Sequence, residues 1–96
     1  MSFEEAAQAC GIVAILRGIQ PGEAVAVGAA LHAAGIRIVE VPLNSPDPFA
    51  SISALAKAFA GRLVVGAGTV LDVPSVNLLK ASGGTISVSP DCNPAV

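Results

Sequence analysis

The sequence predicts an α/β fold in which parallel strands alternate with helices. Three observations carry that prediction. Short runs rich in Ile, Val and Leu recur along the chain, each is followed by a segment with helix start or stop signals, and no Asn-Gly or similar pair joins one run to the next as a hairpin. Strands without hairpins need crossovers, and crossovers between parallel neighbours are helical and right-handed.

The first strand is IVAILR, residues 12–17, held between Gly11 and Gly18. It is continuously apolar rather than alternating, which predicts burial on both faces. The segment PGEAVAVGAALHAAG has Pro21 in a first-turn position, Glu23 near the positive end of the helix dipole and Gly35 as a stop, so residues 21–35 form a helix. IRIVEVPL, residues 36–43, is the second strand. The next helix starts within residues 45–48 and stops at Gly61. RLVVGAG is the third strand, VPSVNLLKASGG a helix capped by Asp72 and stopped at Gly83 and Gly84, and TISVS the fourth strand, running into Pro90.

Composition narrows the function. The chain has 96 residues, 53% hydrophobic and 12% charged, with a net charge of −2, which predicts one compact unit, residues 1–96. There is no basic run or aromatic cluster to bind phosphate backbones, so no nucleic-acid surface is expected. No apolar stretch approaches the ~20 residues of a membrane span, and the acidic start MSFEEAAQAC is unlike a secretory signal. Cys10 and Cys92 lack CxxC or Cys/His spacing and read as free thiols in a reducing cytoplasm.

Strand parity then locates the polar residues. Val39, Val41 and Leu43 share one face of the second strand, while Ile38 and Glu40 share the other. The aliphatic face suits the helices, so Glu40 points away from them. The same parity puts Val13, Ile15 and Arg17 together, with Arg17 at the carboxyl end. The third strand ends in Gly66-Ala67-Gly68-Thr69 and the fourth in Ser87-Val88-Ser89-Pro90. Polar and glycine residues thus gather at the carboxyl edge, where parallel α/β folds place their sites.

Structural readings stand beside the functional ones. Glu40 and Arg17 could form a buried ion pair, although its desolvation cost makes that a poor source of stability. Arg17 could simply reach solvent, and the GAGT glycines could serve only the turn. There is no GxGxxG, so a dinucleotide site is disfavoured. His32, Lys57 and Lys80 fit packing or solvated helix faces.

AILRG at residues 14–18, VEVPLNSP at 39–46, VGAGTVL at 65–71 and ISVSP at 86–90 occur in order, and together they resemble the 2-keto-3-deoxy-6-phosphonate aldolases. ILRG and PLNSP are more similar to the galactonate branch of that family than to the gluconate branch. The resemblance implies a (β/α)8 TIM barrel, of which this chain is the N-terminal half, cut after the fourth strand with order 1-2-3-4. It implies class I, Schiff-base chemistry on a phosphorylated 2-keto-3-deoxy sugar acid, giving pyruvate and glyceraldehyde 3-phosphate. Neither a metal nor an organic cofactor is implied, and the assembly implied is a homotrimer. Glu40 matches the acid/base carboxylate. Gly68 and Thr69 match the pocket for the pyruvate carboxylate, Arg17 a substrate contact, and Ser89 with Pro90 a wall of the same pocket. The imine-forming lysine belongs on the sixth strand, which neither Lys57 nor Lys80 occupies. A second reading is a half-barrel without catalysis that associates with itself or with another half chain.

Overall fold

The computed structural model describes residues 2–88. It opens with a helix that the sequence reading passed over, α1 (Phe3–Ala9). Its signal is present: Glu5 N donates to Ser2 Oγ and Ser2 N to Glu5 Oε1, each at 3.1 Å, a reciprocal cap of the S-x-x-E type. Then follow β1 (Val13–Ile15), α2 (Pro21–Ala33), β2 (Ile38–Pro42), α3 (Pro48–Ala58), β3 (Val64–Gly68), α4 (Val73–Ala81) and β4 (Ile86–Ser87).

All four strands pair in parallel in the order β1-β2-β3-β4. Helices begin where the sequence places them. Asp72 Oδ1 accepts from Ser75 N at 2.8 Å to start α4, and Glu23 Oε1 accepts from Gln20 N at 2.9 Å at the start of α2. Asp47 enters α3 with φ 43 and no side-chain cap, so Pro48, with its fixed φ, begins the helix. Gly35, Gly61 and Gly83 follow the three later helices at positive φ, which a residue with a Cβ adopts only at a cost.

The outer face of the sheet carries the main core. Val39, Val41, Val65 and Ala67 pack against Ile52, Leu55, Phe59 and Leu79 from the helices. Full burial of a residue such as Ile52 or Leu55 contributes about 1.5–3 kcal/mol. A separate small cluster lies on the inner face, where Ala6 of α1 covers Ile38 and Val64, with Ala7 and Ile86 at its margin. Helix α1 therefore closes the amino end of the inner face.

One expectation is corrected. The first strand is shorter than residues 12–17 and is not buried on both faces: Val13 is 40% and Ile15 56% exposed. Its outward residues pack on the core, as Ala14 does, but nothing among the described residues covers its inner side. A continuous apolar run records a strand built to be covered twice, and only one cover is present here. β2 and β3, by contrast, are buried along their whole length.

Candidate active site

The register sets the site. Ile15 pairs with Glu40, Glu40 with Gly66 and Pro42 with Gly68, so these residues form two successive rows of one strand parity next to the carboxyl edge. Glu40 shares the strand parity of Ile38, on the face opposite the one that Val39 and Val41 turn to α2, α3 and α4. It is buried, with 6% of its surface exposed. Its carboxyl group leans over Gly68: a Cβ there would overlap Glu40 Oε2 and lie 2.5 Å from Cδ and 2.9 Å from Oε1. Gly68 is thus a glycine because the carboxyl group occupies its side-chain space. Parity found Glu40, but this across-strand seat has no local sequence signal.

Burial raises the Glu40 carboxyl above its ordinary pKa, and the charge of Arg17 partly opposes the rise. Desolvation penalises the carboxylate more than the neutral acid, and a nearby cation does the reverse. Arg17 itself is exposed and follows β1 directly, on the parity of Val13 and Ile15. Arg17 therefore acts on Glu40 through its charge, and the desolvation of the carboxyl group outweighs it.

Thr69 follows Gly68 at the rim. It is exposed and has φ 58, a conformation that costs a β-branched residue on the order of 1–3 kcal/mol. Such strain collects at working sites. Ser89 and Pro90 lie outside the described residues, as does Cys92. Cys10 is a free, half-buried thiol beyond the end of α1.

The remaining candidates sit elsewhere. His32 stacks on Phe59 with ring centroids 6.4 Å apart, at the far end of α2, so it packs. Lys57 and Lys80 are exposed on α3 and α4. Among the described residues no three His, Cys, Asp or Glu side chains gather as a metal would need, and no helix is long and apolar enough to cross a membrane. Sequence reasoning missed Ser45, which is buried between two loops and accepts from Gly18 N at 3.1 Å.

A buried carboxyl group whose pKa is raised by desolvation, beside a glycine-floored edge, can exchange protons with a ligand held there. The model for KDPG and KHG aldolase matches residues 3–96. A Rhizobium meliloti (strain 1021) protein named as a probable 2-dehydro-3-deoxy-6-phosphogalactonate aldolase is 47% identical over 85 residues, covering 88% of this chain and 40% of that one. The solved "Native KDPGal structure" superposes with a TM-score of 0.81 at 43% identity, over 84% of this chain and 39% of that chain. A KDPG aldolase from Legionella pneumophila, solved with pyruvate captured as a covalent carbinolamine intermediate, gives 0.82 at 25% identity, over 91% and 42%. The chain spans less than half the length of each. Since the family model runs from the third residue to the last and the parallel sheet superposes on part of the aldolase fold, this chain belongs to the KDPG and KHG aldolase family.

Proposed function

We propose that these residues supply the acid/base and pyruvate-holding side of a class I aldolase that cleaves 2-dehydro-3-deoxy-6-phosphogalactonate to pyruvate and glyceraldehyde 3-phosphate. The observation that carries the reading is Glu40: buried, raised in pKa by desolvation, and seated over Gly68 at the carboxyl edge. Galactonate rather than gluconate rests on the Rhizobium relative's name and on ILRG and PLNSP.

In this reaction a lysine amine from the rest of the barrel adds to the C2 carbonyl, passing through a carbinolamine to an imine. Glu40 gives and takes the protons of that addition and dehydration. The C3–C4 bond then breaks, its electron pair flowing into the imine, while the C4 hydroxyl proton leaves and the C4 oxygen becomes the aldehyde. Protonation at C3 and hydrolysis release pyruvate. A carboxyl group poised nearer neutrality serves both directions of proton transfer. Gly68 and Thr69 hold the pyruvate carboxylate with backbone N–H groups and a hydroxyl, Arg17 faces the substrate's negative charge, and Ser89 with Pro90 walls the pocket. The working assembly is a homotrimer of whole barrels in the cytoplasm.

The exposed Val13 and Ile15 favour a second reading, association of this half without catalysis. A barrel built on residues 1–96 with the remaining strands of the Rhizobium relative separates the two. It should cleave substrate and, with pyruvate and borohydride, trap a reduced adduct on the supplied lysine. Glu40→Gln should lower turnover by about 10²–10⁴-fold, the usual share of general acid–base catalysis. Undiminished turnover in that variant removes Glu40 from the mechanism, and an adduct mapped to Lys57 or Lys80 means the nucleophile is misplaced.

A further inference from the structure

We propose that Ser45 is a positioning residue, whose hydroxyl anchors the Arg17 turn beside the Glu40 carboxyl group. The inference rests on the catalytic reading above and adds a residue to it. Ser45 is only 5% exposed although it lies in a loop, and its Oγ accepts from Gly18 N at 3.1 Å, across 27 residues of chain. A buried hydroxyl in a connecting loop is held there by its partner, because an unpaired one forfeits its hydration.

Both ends of this contact are themselves fixed. Ser45 N donates to Pro42 O at 3.0 Å, a turn closing directly on the end of β2. On the other side Leu16 N donates to Glu40 O at 2.8 Å, and Ile19 N to Leu16 O at 3.3 Å, so Arg17 and Gly18 are the central pair of a second turn. Gly18 takes φ 76, which turns its N–H toward Ser45. The Arg17 side chain is exposed. The backbone bond one residue later is what keeps its guanidinium from drifting outward. Coulomb attraction falls with distance, so a loosened turn weakens the hold of Arg17 on Glu40. Among the described residues Arg17 is the charge that acts on Glu40.

Carboxyl ¹³C titration of Glu40 in the 96-residue chain tests this without any turnover assay. Ser45→Ala and Arg17→Ala should each move the Glu40 midpoint upward, the first by no more than the second. In the double variant Ser45→Ala should add nothing, because no charge remains to be misplaced. Ser45→Thr keeps the acceptor oxygen and should titrate as the parent does. In the parent, independent of any variant's folding, the Gly18 amide should resist hydrogen exchange. The proposal is overturned by a Ser45→Ala midpoint equal to the parent's, by full additivity in the double variant, by a Ser45→Thr midpoint matching that of Ser45→Ala, or by free exchange at Gly18. Failure of the catalytic reading would appear separately, as undiminished turnover in Glu40→Gln.

Discussion

Gly68→Ala puts the seat of the Glu40 carboxyl group to a quantitative test. The backbone at Gly68 is outside the left-handed region, so alanine meets no conformational barrier there. By itself the exchange should stabilise the fold by about 0.4–1 kcal/mol, because alanine has less freedom to lose on folding. The added methyl group, however, would overlap Glu40 Oε2 and lie 2.5 Å from Cδ. Two responses are open to the carboxyl group. If it stays, the overpacked contact costs about 1–3 kcal/mol. If it swings outward, it regains water and its pKa falls back toward the ordinary carboxylate value. Neither response exists in a Glu40→Ala background, where Gly68→Ala should simply stabilise. Urea denaturation of the four proteins in the cycle, with a carboxyl titration of Gly68→Ala, reads both. A cost in one background and a gain in the other, or a lowered Glu40 titration, confirms the seat. The same change in stability in both backgrounds, with the Glu40 titration unmoved, would refute it.

Three other outcomes follow from the same geometry. Because the folded pKa of Glu40 lies above its unfolded value, the folded chain holds a proton that the unfolded chain has released, and the parent loses stability as pH rises through that window. Glu40→Gln should match the parent near pH 3 and become the more stable of the two toward neutrality, by about 1.4 kcal/mol for each pH unit separating the folded from the unfolded pKa; a gap widest in acid contradicts this. Gly66→Ala would drive a methyl group against Ile86 Cγ1 and the Ile86 carbonyl, 2.9 Å from its carbon, so β4 should detach and the Thr85 and Val88 amides should exchange faster while Val64 stays protected; unchanged exchange at all three sites argues against the close approach. Thr69→Gly relieves about 1–3 kcal/mol of strain against about 0.5–1 kcal/mol of added chain freedom, so the urea midpoint should rise, and a fall would show that Thr69 is not strained.

What could be read in advance was what repeats locally. Glu40 was legible because side chains alternate along a strand, and Asp72 because a helix start has a one-turn signature. Helix α1 carried a legible signature too, in Ser2 and Glu5, on a segment read only for export signals. The contacts that position the site were illegible for a different reason. Gly18 meets Ser45 and Glu40 meets Gly68 across 27 and 28 residues of sequence, and no local pattern encodes which glycine lies under which side chain. The exposed inner side of β1 was misread because hydrophobicity reports the cover a strand is suited to, not the cover present.

The position of α1 bears on how protons travel. With Ala6 pressed on Ile38 and Val64, α1 shuts the amino end of the inner face beneath Glu40 and leaves the carboxyl edge as the open end of β2 and β3. On the catalytic reading, substrate, product and solvent share one mouth, so a seated substrate acts as its own stopper. Toward the amino end a proton held by Glu40 meets only the aliphatic side chains of Ala6, Ile38 and Val64, so the carboxyl edge is the side on which it is passed on.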